Sequence, residues 1–295
     1  MIESLTTVTR RAFRIDWSQY ERILKDVNAA PEEYRPHDYW LTYERSVVPQ
    51  LRMDPSLIYT VKSNGIPVWV GGGTQHEVPW ERYDRFIPFV RELDEMRLLD
   101  KYPSYRSKQF LDAVIEINLM RRYCGLRDGM RLVDLGGGYG RLAEFLLPEF
   151  NVSYVIVDAV ALSLLVATQY LPQMLGTEVN SYWETRDKRC ERYRLSVWPA
   201  WDIESILPGA DIMINIHSMQ EMGDSRCAFY LKLFDRYKGQ KTSVFLKNNF
   251  KFVTRTWEFP TRWTVVYENN TWPCSEGLVD GVWQDAPRTW LKIFR

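Results

Sequence analysis

Residues 132–147 read LVDLGGGYGRLAEFLL: an apolar run, a turn with glycine at 136, 137, 138 and 140, and an amphipathic run. A strand–turn–helix unit of this kind brings backbone close to a ligand, because glycine accepts positive φ and carries no Cβ. The helix that follows offers free N–H groups at its start, which suit a phosphate or a carboxylate. Spacing then decides between ligands. A nucleoside triphosphate loop requires GxxxxGK[ST], and no Lys-Ser/Thr pair follows here. The dinucleotide fingerprint GxGxxG fails as well, since its third glycine position, counted from Gly136, holds Arg141. What fits is Asp134-x-Gly136-x-Gly138-x-Gly140, with Tyr139 inside the turn. Asp158 ends the next apolar run, VSYVIVD (152–158), where an acid can accept hydrogen bonds from both ribose hydroxyls. A ligand with ribose, adenine and an amino-acid tail, but no pyrophosphate, suits this combination.

Outward from the turn, apolar runs alternate with helix-compatible stretches. Candidate strands are 131–135, 152–158, 193–198, 210–216 and 242–248, and 262–270 with 288–294 form a closing antiparallel pair. The pattern predicts an α/β domain over 125–295 with a doubly wound, seven-stranded Rossmann-like sheet. Residues 1–124 differ in texture, being rich in Tyr, Trp and Arg. Helical periodicity over 16–28, 37–52, 79–99 and 106–124 marks them as a mostly helical cap and substrate region. A second glycine triplet, Gly71 to Gly73, has no helix start beside it and no acid at a following strand end, so it reads as a turn or lid.

The bulk numbers narrow the class. The chain has 295 residues, with 38 basic residues against 38 acidic ones, which argues against a nucleic-acid binder working through a basic surface. Its four cysteines form no CxxC and no Cys/His cluster, so neither a zinc site nor a disulfide framework is expected. No run approaches the roughly 18 apolar residues of a membrane helix, and the N-terminus lacks the apolar core of a signal peptide. The expectation is a soluble, cytoplasmic protein with a small-molecule substrate and no nucleic-acid or membrane partner. A homodimer is compatible with the sequence, which leaves the oligomeric state open.

DLGGGYG with Asp158 resembles the first two motifs of class I S-adenosylmethionine-dependent methyltransferases, over about residues 125–295. GGGYGRLAEFL, IVDAVALSLLVATQYL and NIHSMQEM also resemble the bacterial sugar O-methyltransferase group. The resemblance implies S-adenosylmethionine as cofactor, held by Asp134, Gly136, Gly138, Tyr139, Gly140 and Asp158. It also implies an adenine contact from Asp202 with Trp201 on the ring, although Asp202 equally suits an N-cap of the helix beginning IESIL. In KYPSYRSKQF (101–110), the segment that commonly folds over the cofactor, Tyr105 would face the sulfonium and Arg106 the methionine carboxylate.

The end of the 210–216 strand faces the reacting group in such folds. There, His217 is the only histidine of the α/β half. Methyl transfer is an in-line displacement from a good leaving group, so the protein supplies alignment and removes the acceptor's proton. An unperturbed imidazole suits that task at neutral pH, and plant-type O-methyltransferases place a His similarly. Glu221 is the alternative base, or orients His217, or helps to hold a divalent metal, although no ligand spacing singles out a metal set. A structural histidine and a helix cap are the plain alternatives. Asn215 is expected to position the methionine moiety or the substrate. The tryptophans of the C-terminal segment, among them Trp257, Trp263 and Trp290, are expected mostly in the core, and Asn248 and Asn249 offer polar contacts at the same edge.

The function expected is methyl transfer to a small hydroxylated acceptor, foremost a sugar hydroxyl in glycan or natural-product synthesis. One alternative keeps the cofactor but cyclises its own methionine moiety, releasing methylthioadenosine. Another is a non-catalytic cofactor-binding protein.

Overall fold

The computed structural model describes residues 15–53, 108–249, 257–269, 277–279, 282–284 and 289–295. The expected helix over 79–99, the turn or lid at Gly71 to Gly73, Tyr105 and Arg106 lie outside the described residues.

Helices α1 (Trp17–Ala29), α2 (Asp38–Met53) and α3 (Lys108–Leu119, extended by a π turn Met120–Cys124) precede the sheet. Then come β1 (Arg131–Leu135), α4 (Arg141–Leu146), β2 (Ser153–Asp158), α5 (Ala161–Leu175), β3 (Val179–Ser181), β4 (Leu195–Pro199) and α6 (Ile203–Ile206). The chain continues with β5 (Ile212–Ile216), α7 (Asp224–Tyr237), β6 (Ser243–Asn249), β7 (Val265–Asn269), a ribbon of β8 (Gly277–Val279) and β9 (Val282–Gln284), and β10 (Thr289–Phe294). Eight strands form one sheet in the order β3-β4-β2-β1-β5-β6-β10-β7. Pairing is parallel from β3 to β6, and β10 runs antiparallel between β6 and β7. This is a doubly wound, Rossmann-like α/β fold. All seven expected strands are present; the eighth, β3, is a three-residue edge strand that the apolar pattern does not reveal.

The long apolar runs follow from burial on both faces. Along β1 and β2, Leu132, Tyr154 and Ile156 enter one core, while Val133, Leu135, Val155 and Val157 enter the other. Helices α3, α4 and α5 cover the first face, and α6 and α7 the second. Helix α5 is apolar almost all round because it is covered twice, by the sheet on one side and by α1 on the other. Asp16 caps α1 through the Ser18 N–H at 3.0 Å, and Tyr20, Ile23 and Val27 form its buried stripe. Helix α2 adds Val47, Val48 and Leu51 to the same core, and its buried Glu44 accepts the Leu162 N–H at 2.5 Å, in the first turn of α5. The N-terminal helices therefore pack directly on the element that follows Asp158.

Of the C-terminal tryptophans, Trp263 and Trp290 are buried, and Trp257 meets Trp290 edge-on at 5.2 Å. No helix among the described residues is long and apolar enough to cross a membrane.

Candidate functional site

The glycine turn after β1 uses its three positive-φ glycines for different reasons. Gly136 (φ +71°) lies against the neighbouring loop: a Cβ there would fall 1.9 Å from Ser218 Oγ. At Gly140 (φ +89°) a Cβ would strike Leu171 Cδ1 at 2.4 Å and Ile156 Cδ1 at 2.6 Å, so this glycine lets α4 start against β2 and α5. Gly138 (φ +58°) alone of the three would project a Cβ into open space. Gly136 and Gly138 line a pocket of about 290 Å³ at the C-terminal edge of the sheet, and Gly140 does not. Asp134 lies beneath the turn rather than in the pocket wall. Its Oδ2 accepts the Tyr154 hydroxyl at 2.6 Å, and burial pushes its carboxyl up to about 7.

Asp158 ends β2 in that wall. Its Oδ2 accepts the Gly138 N–H at 2.9 Å and its Oδ1 the Val160 N–H at 2.8 Å, with the Ala159 N–H also on the carboxylate. Burial raises its pKa against those three donors. A carboxylate offers about four lone-pair directions. The Gly138 and Val160 N–H groups take two of these, so Asp158 can accept further donors from the pocket. Tyr139 also lines the pocket, its ring edge-on to Tyr170 at 6.5 Å.

The loop after β5 forms the facing wall. Asn215 is fully buried and its amide is spent: Nδ2 donates to Leu135 O (2.8 Å) and Ser218 Oγ (3.1 Å), and Oδ1 accepts from Met219 N and Asn248 Nδ2 (both 3.2 Å). Asn215, expected at a ligand, is not among the residues lining the pocket, and its amide stitches the end of β1 to the loop after β5. Asn248 is spent likewise, its Oδ1 accepting the Gln220 N–H at 3.1 Å. The Asn249 side chain lies outside the described residues.

His217 and Glu221 both line the pocket. His217 adopts a left-handed backbone (φ +58°), uncommon for a residue with a Cβ, held by its N–H donating to Lys247 O at 2.7 Å. Its Nδ1 lies 3.2 Å from Gln220 Oε1, which favours the proton on Nδ1 and leaves Nε2 as acceptor. Burial, reinforced by the Lys247 ammonium, lowers its pKa to about 3, so the ring is neutral at physiological pH and a weak base. Glu221 is shifted the other way, up to about 7 by burial, against hydrogen bonds from Trp40 and Gln220. Its Oε2 carries no hydrogen bond from the protein. A base works best with a pKa near the operating pH, and of the two side chains Glu221 is the one whose environment brings it there.

Behind His217 lies a buried charge cluster. Lys247, fully buried on β6, pairs with Glu116 (2.7 Å) and Asp112 (3.3 Å) from α3, and Glu116 also pairs with Arg141 (3.0 Å) just after the glycine turn. The cluster ties α3, α4 and β6 together beneath the turn and sets the local field at His217.

The expected adenine contacts sit elsewhere. Ala200 lines the pocket; Trp201 and Asp202 do not. Trp201 packs edge-on to Tyr182 (6.1 Å) and Trp183 (6.3 Å). Asp202 holds the N-cap position of α6 without a side-chain cap bond and instead pairs with Lys188 at 2.8 Å. Tyr105 and Arg106 lie outside the described residues. The pocket also contains residues the sequence did not single out: Arg35, His37 and Trp40 from the N-terminal half, and Ser218, Arg226 and Tyr230. For the first three the one local signal was the aromatic and arginine-rich texture of the segment around Trp40. Among the described residues no group of three or more His, Cys, Asp and Glu could hold a metal ion, and the described cysteines are buried and form no disulfide.

No protein-family model matches the chain, and no curated protein matches it in sequence. Solved structures similar to part of it include TrmN from Thermus thermophilus (15% identity, 62% of this chain and 48% of that one, TM-score 0.43). The magnesium protoporphyrin IX methyltransferase ChlM from Synechocystis PCC 6803, with bound SAM, matches at 10% identity over 61% and 77% of the two chains, TM-score 0.40. The phosphoethanolamine N-methyltransferase 2 of Haemonchus contortus matches at 17% identity over 45% and 27%, TM-score 0.32. The chain spans less than half the length of the first and third of these.

Proposed function

We propose that this chain is an S-adenosylmethionine-dependent methyltransferase acting on a small hydroxylated acceptor, foremost a sugar hydroxyl. The observation that carries the reading is the Gly138–Asp158 pair at the pocket, where a Cβ-free turn and an acid at the end of the next strand border the same space. When bound, the cofactor supplies an electrophilic methyl group on a sulfonium. In this reading Gly136, Gly138 and Tyr139 bound the cofactor and Asp158 accepts a ribose hydroxyl, while Asp134 and Gly140 shape the turn from beneath. Glu221 takes the proton of the acceptor hydroxyl, and His217, neutral and restrained by Gln220, aligns it.

The division into a cap and substrate region over 1–124 and a cofactor-binding domain over 125–295 belongs to the same proposal. Support comes from Trp40, which reaches from α2 to the Glu221 carboxylate and helps to exclude water from that group. The test is incubation of the purified protein with S-adenosylmethionine and a panel of glycosides, read by mass spectrometry. S-adenosylhomocysteine with a methylated glycoside is the expected pair of products. Methylthioadenosine formed without any acceptor would overturn methyl transfer in favour of cyclisation.

A further inference from the structure

We propose that Arg35 and Arg226 form an oxyanion-binding mouth on the pocket, so that the acceptor carries a phosphate or carboxylate beside its hydroxyl. Its assignment to the acceptor rests on the methyl-transfer reading; the anion site itself stands on geometry. Arg35 lies just before α2 and Arg226 in the first turn of α7, and both line the pocket. Arg35 Nε donates to Ala30 O at 2.6 Å, and Arg226 Nη2 donates to Glu32 O at 3.2 Å. Both acceptors are neutral backbone carbonyls. Among the described residues neither guanidinium has a carboxylate partner, whereas Arg141, Arg189, Arg236 and Arg262 each rest on an acid.

A guanidinium has five N–H donors. One is committed on each arginine, and the planar remainder matches the oxygens of a phosphate or carboxylate. Neither carboxyl of the pocket is paired with the two arginines: the Asp158 oxygens accept backbone N–H groups, and Glu221 is hydrogen-bonded by Trp40 and Gln220. The apolar bodies of Trp40, Met222 and Tyr230 line the same space and strengthen the field of the two cations.

The mouth is also held in place. Both arginines hang on the short segment from Ala30 to Glu32, one from each half of the chain. Tyr34, next to that segment, packs edge-on against Phe229 of α7 at 5.3 Å. Two cations fixed on one rim bind an oxyanion without first having to be ordered.

Two oxyanions are candidates, one on the acceptor and one the carboxylate of the cofactor itself, and the experiment separates them. Inorganic phosphate is titrated into the full-length protein with and without S-adenosylhomocysteine, for the wild type, Arg35→Gln, Arg226→Gln and the two Lys variants. Thermal melts check that each is folded. Saturable phosphate binding is expected, weakened about 10- to 100-fold by each Gln change and partly kept by Lys, with S-adenosylhomocysteine affinity unchanged. No saturable binding by the wild type, or equal binding by folded Gln variants, overturns the anion site. Cofactor-product affinity falling in step with phosphate affinity assigns the arginines to the cofactor carboxylate and overturns the acceptor assignment. Phosphate binding through both arginines with no S-adenosylhomocysteine binding sustains the anion site while sinking the methyl-transfer reading, so the two failures are distinct. In turnover, sugar phosphates or uronates are expected ahead of their neutral counterparts, and the reverse ranking overturns the proposal.

Discussion

Gly138 donates its backbone N–H to Asp158 Oδ2 across 2.9 Å, so the acid that ends β2 holds the glycine turn that follows β1. Removing the carboxylate releases that N–H and the Val160 N–H together. Asp158→Ala is expected to lower stability by about 1–3 kcal/mol through the unsatisfied donors. It should also weaken S-adenosylhomocysteine binding by about 10- to 100-fold, the worth of a hydrogen bond to a charged group. Asp158→Asn keeps one acceptor oxygen and should fall between. Calorimetric titration and denaturant melts read both quantities. Wild-type affinity in a folded Asp158→Ala protein would remove Asp158 from the binding site.

Two glycines of the same turn should respond in opposite ways to one methyl group. Gly140→Ala drives a Cβ into Leu171 and Ile156 and is expected to destabilise by about 1–3 kcal/mol from overpacking, beyond the cost of its positive φ. Gly138→Ala meets no protein atom, so its stability cost is the left-handed backbone alone, about 1–2 kcal/mol. Its methyl nevertheless projects where a ligand would lie. Binding loss larger than stability loss is expected at Gly138, and the converse at Gly140. Thermal melts beside ligand titrations of the two variants decide it.

Much of this was legible before the structure because parallel strands buried on both faces leave unbroken apolar runs, as in β1 and β2. The spacing from Asp134 to Gly140, with Asp158 at the next strand end, was likewise a local signal. What stayed hidden depends on tertiary packing. Strand β3 has three residues, too few for a period, and its Asn180 is held by side-chain bonds to Ser196 and Asp187. Asn215 reads as a ligand contact in sequence, since nothing local reveals that its amide is consumed by Leu135, Ser218, Met219 and Asn248. Trp201 and Asp202 miss the pocket although their neighbour Ala200 lines it. Arg35 and Arg226 are far apart in the chain, and only folding puts them on one rim.

Glu221 and His217 are separable by pH. Burial raises Glu221 to about 7 and lowers His217 to about 3. A carboxylate base is active when deprotonated, so methyl-transfer rate should rise with pH through about 7 and then level off. Glu221→Gln should cut the rate by about 10²- to 10⁴-fold and abolish that limb. His217→Asn should lower the rate but keep the limb, because His217 stays neutral throughout this range. Rates measured from about pH 5 to about pH 9 check this. A limb that survives in Glu221→Gln and disappears in His217→Asn would reverse the two roles.

Glu144 carries a pH dependence of stability that is independent of function. It is 8% exposed between α4 and α5, with Oε1 accepting the Tyr170 hydroxyl at 3.4 Å and Oε2 without a partner. Burial raises its pKa from 4.5 to about 7. The folded form therefore holds its proton more tightly than the unfolded chain does. Stability should fall as pH rises from about 4.5 to about 7 and stay at the lower value above it. Glu144→Gln removes that ionisation while keeping the shape. The variant should gain on the wild type between about pH 5 and about pH 8, by about 2–3 kcal/mol for a shift of this size. Other buried carboxyls, such as Glu44 and Asp134, titrate in both proteins and cancel in the comparison. Urea denaturation of the two proteins at both pH values measures the gap, and a gap that does not widen with pH would show that Glu144 ionises as freely in the fold as in the open chain.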